Sequence, residues 1–137
     1  MRAQAMDATN VTEITQDNFK SIVDRDGIVL IDWWAPWCGP CRTFGPTYER
    51  VAEKHADITF GKVNTEEQQA LAASFEIRSI PTLMILRDKV MLYSEAGALP
   101  EPALEDLIKQ VRGLDMEVVR AKLAAREAAR EAGGGTK

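Results

Sequence analysis

The sequence predicts an α/β fold: a mixed β-sheet covered by helices on both faces. Three observations lead there. Residues 28–63 alternate strand, helix, strand, which places two parallel strands around a right-handed crossover. Residues 82–86 and 90–94 form two short apolar runs joined by Arg87-Asp88-Lys89, an antiparallel hairpin. Leu104, Leu107, Ile108 and Val111 then give the i, i+3, i+4, i+7 stripe of an amphipathic helix. The full order is β-α-β-α-β-α-β-β-α.

Each element has a local reason. Residues 11–14 alternate weakly, as a short edge strand does. Thr15 is expected to cap a helix that buries Phe19, Ile22 and Val23, with Gly27 ending it. Residues 28–34 are β-branched, then aromatic, and apolar apart from Asp32; this suits a central strand buried on both faces. Residues 39–55 carry Phe44, Tyr48, Val51 and Ala52 at helical spacing, with Pro46 inside as an expected kink. Residues 58–63 supply the next strand and 67–75 a short helix. The hairpin lacks Asn-Gly, so its register is weakly specified. Pro100 and Pro102 fit the first turn of the helix after it.

From Leu114 the composition changes. Met116, Val119 and Leu123 make a thin apolar stripe, followed by alanines among alternating Arg and Glu. This is a helix-prone extension with little to bury, and its charged face suits solvent. The expected organisation is a domain over 9–113, a helical extension over 114–132 and a flexible tail over 133–137. There is no internal repeat.

Composition narrows the function classes. The 137 residues are 45% hydrophobic and 28% charged, enough for one domain with a real core. Acidic residues outnumber basic ones, 21 to 17, without a basic block, which argues against nucleic acid as partner. The run 28–31 stops at Asp32, far short of the roughly 18 apolar residues that span a bilayer. Residues 1–10 are polar and Ala-rich, so no secretory leader is expected. Two cysteines suffice neither for a disulfide scaffold nor for a four-cysteine zinc site, and the single histidine, His55, lies 14 residues beyond Cys41. His55 is expected at the surface, and no metal is expected.

Both cysteines fall in Trp37-Cys38-Gly39-Pro40-Cys41, which points to redox chemistry. If Gly39 starts a helix, Cys38 sits at its N-terminus, where unpaired N–H groups and the positive dipole end favour a thiolate. Cys41, one turn inside, is expected to be deeper and to keep its proton longer. Pro40 stiffens the ring without removing a helical hydrogen bond. A thiol pKa lowered from about 8.5 to about 7 raises the thiolate fraction at pH 7 roughly 16-fold, and weaker nucleophilicity takes back roughly fivefold. Most of the acceleration must therefore come from docking and from rapid intramolecular attack by Cys41. Asp32, in mid-strand, should have its pKa raised by burial and, with Lys62 nearby, accept the Cys41 proton. Ile80-Pro81-Thr82 opens a strand with proline, and a cis bond there would present the Ile80 backbone to an extended peptide.

The run Ile31-Asp32-Trp33-Trp34-Ala35-Pro36-Trp37-Cys38-Gly39-Pro40-Cys41-Arg42 closely resembles the active-site segment of the thioredoxin family. Lys62-Val63-Asn64, Ile77-Arg78-Ser79-Ile80-Pro81-Thr82 and Ala96-Gly97-Ala98 resemble it too, in order and at family spacing. The resemblance covers residues 9–113 and implies the thioredoxin fold, about five strands flanked by about four helices. It implies Cys38 as nucleophile, Cys41 as resolving thiol, Asp32 as buried acid–base group assisted by Lys62, and Pro81 as a cis-proline. Gly39 and Pro40 complete the redox centre, and Trp37, Ile80, Pro81 and Gly97 would form the docking surface. It further implies no bound cofactor, recharging by an NADPH-dependent flavoprotein (thioredoxin reductase), a cytoplasmic monomer, and clients such as ribonucleotide reductase, peroxiredoxins and methionine sulfoxide reductases. Trp33 stands where Phe is commoner, Pro100 where Ser or Thr usually caps, and Arg87-Asp88-Lys89 lacks the familiar Gly.

Blander readings exist. A structural disulfide or zinc knuckle fits a lone C-x-x-C, but not one holding Gly-Pro in this segment. Asp32 alone suits a satisfied buried carboxylate, Lys62 a surface cation, and Trp33 and Trp34 the core. A non-catalytic binding subunit, using the docking surface or the extension, is the rival function. An oxidase or isomerase of secreted proteins is disfavoured by Gly-Pro between the cysteines.

Overall fold

The computed structural model describes residues 10–134. Its five strands are β1 (Val11–Glu13), β2 (Ile28–Trp34), β3 (Thr59–Asn64), β4 (Thr82–Arg87) and β5 (Val90–Ala96). Its five helices are α1 (Phe19–Val23), α2 (Gly39–Lys54), α3 (Gln69–Ser74), α4 (Glu101–Arg112) and α5 (Met116–Gly134). The strands form one sheet in the order β1-β3-β2-β4-β5. β3 runs parallel to both β1 and β2, while β4 runs antiparallel to β2 and to β5. The mixed sheet expected from the strand–helix–strand unit and the hairpin is therefore present.

β2 lies at the centre with strands on both sides, and six of its seven residues are buried. Alternation sorts its side chains to the two faces. Leu30 meets Phe60, Leu83 and Ile85 under α2 and α4, which add Phe44, Tyr48, Leu104 and Ile108. Val29, Ile31 and Trp33 face the other way, toward Ile22 of α1 and Leu71 of α3. On that side Phe75 stacks obliquely on Phe19 and Trp33. Pro46 lies within α2, as the sequence indicates. A Cβ on Gly61 would run into the fully buried Ile14, so this β3 position admits only glycine without rearrangement.

Several local expectations are corrected. Thr15 does not cap α1: its hydroxyl accepts the Asp17 N–H, a turn follows, and the helix starts at Phe19. Gly27 does not end α1, which stops at Val23. It sits at φ +88° against the hairpin turn, donating to Asp88 Oδ1 at 2.8 Å and accepting the Asp88 N–H at 2.9 Å. That reciprocal pair settles the hairpin without Asn-Gly. Asp88 and Lys89 both take positive φ, as a two-residue primed turn requires. Pro100 is the residue before α4 rather than in its first turn. His55 is half-buried: its Nε2 lies 2.7 Å from Glu105 Oε1 and its Nδ1 3.0 Å from Arg112.

The extension is helical, and α5 continues through Gly134, beyond the expected end at 132. The tail expected over 133–137 lies outside the described residues from 135 on. Met116 is buried, but from Arg120 to Ala132 every described side chain is exposed. Arg87 ties the α4–α5 junction down by donating to Val111 O at 2.8 Å and Leu114 O at 2.9 Å. Arg120 donates to Asp88 O at 3.2 Å. Removing residues 124–137 should therefore change unfolding free energy by less than about 0.5 kcal/mol. Removing 114–137 should cost about 1–3 kcal/mol, because it exposes the Met116 site and removes an acceptor from Arg87. Urea titration of the two truncated chains separates these outcomes.

Candidate active site

β2 ends at Trp34, and the chain turns through Ala35, Pro36 and Trp37 before α2 begins. The Cys38 N–H donates to Ala35 O at 3.2 Å, and the Arg42 guanidinium donates to Pro36 O at 3.0 Å. The turn is tied from within and from the helix. Cys38 is the N-cap of α2, with extended backbone angles, and its Sγ accepts the Cys41 N–H at 3.2 Å. Gly39 and Pro40 fill the first two helical positions, where the missing proline N–H leaves nothing unpaired.

Cys38 and Cys41 are bonded to each other, with Cα atoms 5.2 Å apart. Their exposures, 5% and 3%, differ too little for depth alone to distinguish them while they are bonded. Direction distinguishes them instead. Cys41 begins the stripe Cys41, Phe44, Tyr48, Val51 with which α2 faces the sheet. Cys38 lies at the helix mouth.

A ledge closes the other side of the pair. Ile80 O lies 3.7 Å from Cys38 Sγ, and Ile80 packs on the cluster of Ala35, Cys38 and Cys41. The Ile80–Pro81 peptide is cis. Pro81 O accepts the Gly97 N–H at 2.8 Å, and Gly97 holds φ +125°, which side chains rarely adopt. Ile80, Pro81 and Gly97 are thus joined beside the nearer sulfur. Trp37 stands out from this surface, 64% exposed.

One anchor of Trp37 is invisible to sequence spacing. Its indole N–H donates to Glu66 Oε2 at 2.6 Å. The buried Asn64, at the end of β3, accepts the Glu66 N–H through Oδ1 at 2.9 Å and so sets that loop. The partners are 29 residues apart, and nothing in Asn64-Thr65-Glu66 signals the contact in advance.

Asp32 lies opposite Lys62 in the β2–β3 register and opposite Leu83 in β4. Two residues from Leu30, it shares the sheet face that α2 covers with Cys41 and Tyr48. It is buried, and its Oδ1 has no hydrogen-bond partner. Burial raises its pKa from 3.8 to about 7, and the Lys62 charge opposes that rise only in part. Tyr48, fully buried, donates to Gly61 O at 2.8 Å, and burial pushes its own pKa well up, helped by Asp32. Lys62 is half-buried, with its ammonium 5.3 Å from the centre of the Trp34 ring. Trp34 is accordingly half-buried beside a cation rather than wholly within the core.

Among the described residues no group of His, Cys, Asp and Glu is arranged to hold a metal ion, and no helix is long and apolar enough to cross a membrane. The thioredoxin family profile matches residues 10–110. The chain belongs to the thioredoxin family. Thioredoxin 2 of Streptomyces coelicolor is 52% identical over 120 residues, covering 88% of this chain and 90% of that one. Thioredoxin 1 of Synechococcus elongatus is 41% identical over 97 residues, covering 69% and 91%. The crystal structure of Malassezia sympodialis thioredoxin superposes with a TM-score of 0.67 at 33% identity, covering 74% and 90%. Family membership and the bonded C-x-x-C pair make this protein a dithiol–disulfide oxidoreductase, built on the thioredoxin fold.

The burial of Asp32 has a consequence for stability. Its folded pKa lies above the unfolded value, so between about pH 4 and pH 7 the folded state holds a proton that the unfolded state has lost. Unfolding free energy attributable to Asp32 therefore falls as pH rises through that window. Asp32→Asn removes the penalty while keeping the shape. It should stabilise the protein by roughly 2–4 kcal/mol at pH 8 and by little at pH 4. Denaturant melts at the two pH values check the sign.

Proposed function

We propose that this protein reduces disulfides in client proteins, with Cys38 attacking and Cys41 resolving. The observation that carries the reading is the position of Cys38: an N-cap sulfur, met by a first-turn N–H, beside the Ile80–Pro81 ledge. In the dithiol form the same N–H, with the positive end of the helix, stabilises a Cys38 thiolate. The thiolate attacks a client disulfide, forming a mixed disulfide and releasing one client thiolate. Cys41 then gives its proton to the Asp32 carboxylate, directly or through water, and attacks Cys38 Sγ. The second client thiolate leaves, the Cys38–Cys41 bond forms, and two electrons have passed to the client. The second step is intramolecular, so its effective concentration is high without any further device.

Asp32 suits this role because its pKa of about 7 lets it both take and return a proton near neutrality. Lys62, across the strand, limits how far burial pushes that value. Trp37, Ile80, Pro81 and Gly97 form the surface on which an extended client segment lies, and Gly39 and Pro40 shape the ring. The domain over 9–113 is the catalytic unit and acts as a monomer, with the extension outside the chemistry. The spent disulfide is returned to the dithiol by an NADPH-dependent flavoprotein reductase in a reducing cytoplasm. Ribonucleotide reductase, peroxiredoxin and methionine sulfoxide reductase types are the clients this chemistry suits.

Three experiments test the reading. With dithiothreitol as donor, the protein should catalyse reduction of a soluble protein disulfide, and Cys38→Ser should abolish this. Cys41→Ser should accumulate mixed disulfides on Cys38; their absence from mass spectra of trapped lysate would overturn the division between the sulfurs. Asp32→Asn should slow turnover around pH 7 while leaving measurable activity, and the rise of rate through about pH 7 should flatten. A pH–rate profile identical to that of the unsubstituted protein would remove Asp32 from the mechanism.

A further inference from the structure

Among the described residues Lys62 is the one cation acting on Asp32, yet its ammonium does not reach Asp32 Oδ1, which has no partner there. It lies on the Trp34 ring. The three residues form a triangle on one sheet face. Lys62 is directly across from Asp32 in the parallel register, and Trp34 is two residues along β2 from Asp32. An ammonium is strongly hydrated and sits on a flexible stem, so a half-buried lysine with no acceptor drifts toward water. An aromatic face opposes that drift.

The ring is the rigid member of the pair. It packs on the cluster of Ala35, Cys38 and Cys41. Its backbone carbonyl accepts both the Thr65 N–H at 2.8 Å and the Thr65 hydroxyl at 3.1 Å. The indole N–H is buried without a partner, so packing rather than a hydrogen bond fixes the ring. The cluster that contains the redox pair thus backs the ring, and the Lys62 ammonium lies over it.

We propose that Trp34 is a positioning residue that keeps the Lys62 ammonium beside Asp32 and thereby sets how readily Asp32 exchanges a proton. The consequence for turnover rests on the reading of Asp32 as the proton acceptor of Cys41; the positioning itself does not. The groups facing Asp32 are few. β3 supplies Lys62, β4 supplies the apolar Leu83, and α2 supplies Tyr48 and the bonded Cys41. The Tyr48 hydroxyl is committed to Gly61 O, and among the described residues Lys62 is the charge left to act on Asp32.

The test is a direct titration of the Asp32 carboxyl by carbon NMR in the oxidised full-length protein. Trp34→Leu should move its midpoint upward by about half a pH unit, because the ammonium retreats into water. Trp34→Phe keeps an aromatic face and should move it less. Lys62→Met should raise the midpoint at least as far, and adding Trp34→Leu to Lys62→Met should raise it no further. Loosened packing that merely admits water would lower the midpoint, so the sign separates positioning from damage. A fall, no movement, or a rise that persists without Lys62 overturns the proposal. Should Trp34→Leu fail to fold, Trp34→Phe with and without Lys62→Met decides by the same coupling. The titration needs no turnover, so it stands apart from the pH–rate test of Asp32 itself.

Discussion

The contact from the Cys41 N–H to Cys38 Sγ is the constraint around which the functional end is built. It exists only if a helix begins immediately after Cys38, and that requires β2 to end on time. β2 ends at Trp34, and the Pro36-Trp37 turn, tied by the Cys38 N–H to Ala35 O, then redirects the chain. Pro40 is tolerated only because the helix is one residue old. Helix-end electrostatics are modest, about 0.3–1 kcal/mol for a charge near an exposed terminus. The larger effect lies in geometry: a second sulfur one turn away, and the Ile80–Pro81 ledge beside Cys38.

Asp32 shows the opposite balance between stability and chemistry. A carboxyl at the centre of a sheet is a poor choice for folding, and its unpartnered oxygen makes it worse. Leu83 across the strand and Leu30 two residues earlier show what that face otherwise demands. Desolvation outweighs the nearby lysine, so the group titrates near neutrality instead of remaining charged. A break of this kind in an otherwise consistent core marks a functional position. The same burial that weakens the fold above pH 7 brings the carboxyl's titration to the neighbourhood of neutrality.

Much of this was legible in the sequence because it is local. The double-sided apolar run of β2, the stripe of α2 and the hairpin all declare themselves through spacing. Asp32 is visible as a polar residue where the strand period forbids one. The misses are tertiary. Gly27 looks like a helix stop, but it is needed at positive φ to pair with Asp88, 61 residues away. Asp88 and Lys89 carry no obvious turn signal because that long-range pair supplies what Asn-Gly would have supplied locally. Glu66 under Trp37 and Lys62 on Trp34 arise from the meeting of β2 and β3, and no periodicity in either strand encodes them.

The extension is separated from the chemistry by the sheet itself. β4 begins beside Pro81, at the disulfide, and runs away from it to Arg87. Six residues of strand span about 20 Å. Arg87 and Asp88, at the far end, hold the α4–α5 junction and Arg120. An element anchored at the opposite end of a rigid strand has no route to the sulfurs except through the sheet, and the sheet is packed on both faces. α5 is therefore held at the end of the sheet opposite Cys38 and Cys41.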